Sequence, residues 1–176
     1  MLKNIFLAFW LVLLVPAIGF SAANVPDCMD GQEVLPIDNE RVLELKNNSA
    51  NGTLKRAHVQ GVINRLFSIR NDHIHFEILI GKQKRDTLEV IYNRGFGPIP
   101  QPRLDMVVEV CGDYITSNAR NGKYPPSPSG AIIHWIHKSD NPRHESGYLL
   151  IDGILGGQAI DHRFYRERRR PRHTRN

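Results

Sequence analysis

His73-Ile74-His75-Phe76-Glu77-Ile78-Leu79-Ile80 decides the fold class. Ile74, Phe76, Ile78 and Ile80 recur at every second position, with His73, His75 and Glu77 between them. Successive side chains of a strand point to opposite faces, so this period of two makes one apolar and one polar face. Upstream, Val59, Gly61 and Ile63 alternate with His58, Gln60 and Val62. Downstream, Asp86–Asn93 sets Leu88, Val90 and Tyr92 on one face, after a Gly81–Arg85 connection short enough for a hairpin.

Working outward, the pattern predicts further strands over Leu104–Ile115, Ala131–His137 and Tyr148–Asp152. Between them lie the Gly- and Pro-containing loops Gly95–Pro102, Ser117–Gly130 (with Tyr124-Pro125-Pro126-Ser127-Pro128 at its centre) and Lys138–Gly147. Ahead of the first strand, Asp38 can cap a short helix over Asn39–Lys46, with Val42 and Leu45 on one side. Asn24–Pro36 reads as an irregular arm, and Asn47–Thr53 as a polar turn holding two formal glycosylation sequons, Asn47 and Asn51. Five or six short strands behind one helix predict an all-β fold, a small OB-like barrel; a sandwich would need about seven strands. The expected organisation is a signal peptide over 1–23, an arm and helix over 24–54, the barrel over 55–155, and an Arg-rich tail over 156–176, expected to be disordered.

The chain has 176 residues, 41% hydrophobic and 23% charged, which suits one domain and argues against wholesale disorder. Its net charge of +5 is misleading. His162–Asn176 holds seven Arg against Glu167 alone, a net +6, so residues 1–161 sum to −1. The barrel is near neutral, and polyanion contact is an expectation for the tail rather than for the fold.

Met1–Ala23 has the layout of a secretory signal: Lys3, an apolar run over Ile5–Phe20, and Ser21-Ala22-Ala23 as a small-residue cleavage site. The alternative, an uncleaved anchor, wants ~20 apolar residues, and Pro16 sits late in this shorter run. The expected destination is the periplasm or the medium, with no membrane span after cleavage. In that oxidising setting Cys28 and Cys111 read as a disulfide, the other reading being two separate buried thiols.

The chemistry-bearing residues are His75, His134, His137 and His144, with Trp135 inside His134-Trp135-Ile136-His137. Imidazoles serve as metal ligands, acid–base groups or ligand contacts, and three of them with an open position suffice for a catalytic zinc. On an unbroken strand, however, positions 134 and 137 face opposite ways. They share one ion only if the strand ends between them, so His137 with His144, joined by His75, is the more natural set. Three readings stay open: hydrogen-bonded residues around a buried Trp135, a divalent metal or catalytic site, and a metal-free ligand surface. His58, His73, His162 and His173 receive no role. No P-loop, GxSxG, HExxH or dinucleotide glycine pattern is present.

Cys111-Gly112-Asp113-Tyr114, Gly130–His137, His144 and Gly147-Tyr148-Leu149 together resemble the DUF3465 family of exported bacterial proteins. The shared features are a Gly-acid-Tyr turn, an HWxH strand, a downstream His and a Gly-aromatic step, across roughly residues 56–155. The chain departs from the family in its longer Pro-rich loop, in Cys111 and in the Arg tail. The resemblance implies an envelope or secreted protein that uses its His-Trp-x-His feature, and no particular activity.

Two functions follow. One is a binding module for a polyanion or oligosaccharide, using His73, His75, Glu77, Tyr92, Trp135 and the Tyr124–Pro128 loop, with the tail adding attraction. The other is a metal-dependent extracytoplasmic hydrolase, a phosphodiesterase or nuclease, with zinc or another divalent ion held by His137, His144 and either His75 or His134.

Overall fold

The computed structural model describes residues 25–141 and 144–159. The expected signal peptide and the seven-Arg segment lie outside the described residues. The elements are β1 (Met29–Asp30), β2 (Glu33–Val34), α1 (Asn39–Asn48), β3 (Leu54–Leu66), β4 (His73–Leu79), β5 (Thr87–Asn93), a 3-10 turn (Arg94–Phe96), β6 (Val107–Thr116), β7 (Ala131–His134), β8 (Tyr148–Ile151) and β9 (Ile154–Gly156).

Five strands close into a barrel in the order β3-β4-β5-β7-β6, with β6 returning to pair β3. Every neighbouring pair is antiparallel except β5–β7. This is the small OB-like barrel that the alternation predicts. β3 makes closure possible. Its first part, Leu54–Val62, pairs with Ile115–Val107 of β6, and from Val62 onward it pairs with β4. A register shift between Ile63 and Arg65 marks the bend by which one strand serves two neighbours.

The inward residues are those the period of two selects: Val59, Ile63, Phe76, Ile78, Leu88, Val90, Tyr92, Val108, Val110, Tyr114 and Ile133 are all fully buried. Removing this apolar surface from water, about 25 cal/mol per Å², is the main force holding the sheet closed. Helix α1 adds Val42 to the same core. The Asp38 carboxylate accepts from the Arg41 N–H, as the capping argument requires. The side-chain amide of Asn39 donates to the carbonyls of Gln60 and Ile80, and Lys46 donates to those of Arg85 and Thr87. Both ends of the helix are thus tied to the barrel.

Three local expectations change. The arm carries a two-stranded hairpin, β1–β2. Tyr148–Asp152 is not the last strand: the sheet continues past Ile151 into β9. Asp152 and Gly153 both have positive φ, the geometry of a tight two-residue hairpin that Asp-Gly adopts readily. The strand expected over Ala131–His137 stops at His134, because Trp135 turns to φ +55°.

Cys28 and Cys111 are bonded, across a sequence separation of 83, and pin the arm to β6. Beside them lies Arg56, 7% exposed. Its guanidinium donates to the Met29 carbonyl, to Asp113 at 3.0 Å and to the Ser146 carbonyl. Arm, barrel and the loop before β8 thus converge on one cation. A Cys28→Ala/Cys111→Ala chain should lose about 2–4 kcal/mol in urea unfolding. Arg56→Met should lose more, on the order of 3–5 kcal/mol, because Asp113 and two carbonyls lose a buried partner. Equal stabilities for either variant and the parent chain would contradict this account.

Candidate functional site

The outer face of β4, β5 and β7 carries most of the polar chemistry. His73, His75 and Glu77 project outward from β4, opposite Asn93, Ile91 and Glu89 of β5. On the far side of β5, the Glu89–Ile132 and Val90–Ile133 pairs bring His134 level with Ile91. On the near side, Arg65 pairs Glu77, and the Phe67 N–H donates to the His75 carbonyl. Two rows therefore cross the face: Arg65, Glu77, Glu89 and Ile132, then Phe67, His75, Ile91 and His134.

Glu77 and Glu89 are buried although they face each other. The loop between β6 and β7 covers them: Ser127 Oγ donates to Glu89 at 2.5 Å, and Ser129 Oγ donates to Glu77 at 2.6 Å. The second oxygen of Glu89 receives His75 Nδ1 at 2.8 Å. Nδ1 of His73 meets the Asn71 carbonyl at 2.8 Å. Carboxylates and carbonyls only accept, so both Nδ1 atoms carry the proton and both Nε2 atoms are left for a ligand.

The ring centroids of His73 and His134 are 5.8 Å apart, and those of His73 and His75 are 6.4 Å apart. Burial, reinforced by the neighbouring imidazoles of His73, His137 and His75, holds His134 at a pKa of about 4. It is neutral at physiological pH. Burial also lowers His137, partly offset by its hydrogen bond to the Lys138 carbonyl.

Past His134 the chain makes a tight turn, and two glycines make room for it. A Cβ on Gly112 would lie 2.5 Å from the His134 carbonyl oxygen and from Ile136 Cγ2. One on Gly147 would collide with the carbonyls of Cys111 and Trp135. The turn places Trp135 in the left-handed region, which a side chain as large as tryptophan rarely occupies and which costs on the order of 1–3 kcal/mol. His144 stacks on the indole, with 4.0 Å between centroids and 8° between planes. His137 stacks on Phe96, at 3.4 Å and 10°.

The expected residues form two groups that meet at Trp135, whose ring lies 5.6 Å from His134, 5.5 Å from His137 and 4.0 Å from His144. His75 and His134 share the β4–β5–β7 face, and Trp135 adjoins His134 at 5.6 Å. His137 and His144 are drawn off to Phe96 and Trp135. The strand does end between positions 134 and 137, which removes the parity objection, yet the four imidazoles do not form one ligand set. Among the described residues no group of three or more His, Cys, Asp or Glu is arranged to hold a metal ion. Tyr92 does not belong to a ligand surface: it is fully buried in the barrel, and its hydroxyl donates to the Gly97 carbonyl. It lies on the same inward face as Leu88 and Val90, which is where the alternation puts it.

Sequence reasoning set His73 on the polar face of the binding module but kept it out of the metal and catalytic sets, although it neighbours both other rings of the face. Its place two residues before His75 on one strand face was the available signal. Phe67 and Glu89 were missed because their positions depend on cross-strand register, which the sequence does not print.

Among the described residues, no helix is long and apolar enough to cross a membrane. The chain matches no family model, and neither characterised proteins nor solved structures show significant similarity to it.

Because the folded His134 titrates near 4 and an unfolded His near 6.5, only the unfolded chain takes up this proton as pH falls between those values. The contribution is present in full above pH 6.5 and is lost towards pH 4. His134→Gln removes it. The stability of the parent chain should fall by on the order of 2 kcal/mol more than that of His134→Gln across this window, measured by urea unfolding. Parallel pH curves would show that His134 is not held neutral.

Proposed function

We propose that the protein is an exported binding module that lays a single-stranded anionic polymer, nucleic acid in chemical character, across the outer face of β4, β5 and β7. The observation that carries this reading is the pairing of rings and cations around that face. OB-type barrels bind extended chains on this sheet face and on the two loops that flank it. Here Arg65, at the end of β3, lies over the ring of Phe67 in the loop that follows, at 5.0 Å. The loop between β6 and β7 carries Lys123 over the Tyr124 ring at 5.3 Å, with Tyr124 65% exposed. Stacked bases and a charged backbone are read by this combination of aromatic surface and cation.

The half-exposed His73, His75, Ile91 and His134 lie between the two loops. They offer hydrogen-bonding nitrogens and an apolar step, and the acidic pair beneath them is sealed by Ser127 and Ser129. The Arg-rich segment would add attraction without selectivity. Export rests on the leader-like first 23 residues and on the Cys28–Cys111 bond, which suits an oxidising compartment. Membership of the DUF3465 family, resting on the His134–His137 run and its flanking motifs, belongs to the same proposal.

The chain has two tryptophans, Trp10 and Trp135, so after removal of the leader the fluorescence comes from Trp135 alone. Titration with oligothymidylate should change that fluorescence and give a binding curve that weakens as salt rises. Phe67→Ala and Tyr124→Ala should each weaken binding by about 5- to 100-fold, the worth of one stacked base. Deleting His162–Asn176 should flatten the salt dependence while leaving the effect of Tyr124→Ala in place. An oligothymidylate that does not bind, with a neutral oligosaccharide that does, would move the ligand to the other chemical class.

A further inference from the structure

We propose that the same face cleaves RNA without a metal ion: His134 takes the 2′-hydroxyl proton and His75 protonates the departing 5′-oxygen, with His73 standing beside both rings. The proposal rests on the reading that this face binds single-stranded nucleic acid.

An in-line displacement puts the attacking and leaving oxygens on opposite sides of phosphorus. The base and the acid must therefore stand apart, each within hydrogen-bond reach of its own oxygen. Two such bonds and the two axial P–O distances span about 9 Å. His75 and His134 occupy the two strands on either side of β5, level with Ile91. Two strand spacings are about 9.5 Å, so the backbone sets the interval the reaction needs. His73 lies one pleat away, 5.8 Å from His134 and 6.4 Å from His75 between ring centroids. His73 is thus a near neighbour of both rings.

The surroundings divide the roles. His134 is partly buried among imidazoles, and among the described residues no hydrogen bond holds a proton on it, so it is free to accept one. His75 has Nδ1 on the Glu89 carboxylate at 2.8 Å, which orients the ring and leaves Nε2 as its other nitrogen. The other charged groups around it are Glu77 in the adjacent row, tied to Ser129 and opposite Arg65, and Asp113, level with His134 on β6. Trp135, beside His134, presents an indole on which a flanking base can stack.

The step balances within the substrate and the two rings. The 2′-oxygen forms a bond to phosphorus, and the P–O5′ bond breaks. One fragment ends in a 2′,3′-cyclic phosphate and the other in a 5′-hydroxyl. His134 gains one proton and His75 loses one, and exchange with water resets both. No electron changes hands, and no ion is required.

The test uses the exported, leader-free protein with a fluorescent oligouridylate in excess EDTA, beside oligothymidylate of equal length. The proposal expects RNA cut to cyclic-phosphate ends, identified by mass, while the DNA is bound and intact. His75→Gln and His134→Gln, purified in parallel, should each cut about 100-fold or more slowly at saturating RNA, a loss in kcat beyond any weakening of oligothymidylate binding in the same preparations. Glu89→Gln should still cut, with kcat lowered about tenfold and KM unchanged, the split expected of a positioning carboxylate. Uncut RNA that binds as well as the DNA would overturn the cleavage proposal alone. So would cutting that EDTA abolishes, or that persists undiminished in His75→Gln and His134→Gln. Failure to bind either polymer would overturn the reading beneath it as well.

Discussion

One strand closes this molecule. β3 runs for thirteen residues and hydrogen-bonds first along β6 and then, past its register shift, along β4. A sheet closed in this way leaves no long unpaired edges within the barrel, and its inner face becomes a sealed apolar interior. The outward positions are thereby fixed as well, because a slip of one residue would exchange the two faces of every strand. The histidine row across β4, β5 and β7 is therefore a product of the same register that buries Phe76, Val90 and Ile133.

The second constraint acts at the end of β7. Close packing of Gly112 and Gly147 against the carbonyls of the turn lets the chain reverse within a single residue, and Trp135 takes the conformational strain. The effect on the side chains is decisive. His134 stays with the sheet, whereas His137 and His144 move to stacking partners beyond it. Four histidines close together in sequence or in chemistry are thus distributed between two surroundings, one open and hydrogen-bonding, the other ring against ring.

Much of this was legible in the residues. The alternation in His73–Ile80 and its neighbours carried the strands and the inward set, and Asp38 carried the helix start. The cysteine pair followed from compartment and parity. The failures have a common cause. β9 was missed although Asp152-Gly153 signals a tight reversal, because the three residues after it show no alternation to read. Tyr92 was assigned to a binding surface on its polar tip, against the strand parity that buries it. Glu89 was passed over, and His73 left out of the chemistry-bearing set, because their importance depends on what lies across the sheet. In a barrel with one parallel contact and a strand shared by two partners, that pairing is set by closure, which no local pattern encodes.

The order of the chain has a consequence for assembly. The arm and helix α1 precede every strand of the barrel in the chain, so they are synthesised before it. Val42 then has no barrel core to enter, and Cys28 has no partner until Cys111 emerges 83 residues later. The arm is therefore made well before the strand that secures it, and a misplaced oxidation of its thiol before that moment would leave the barrel without its N-terminal clasp.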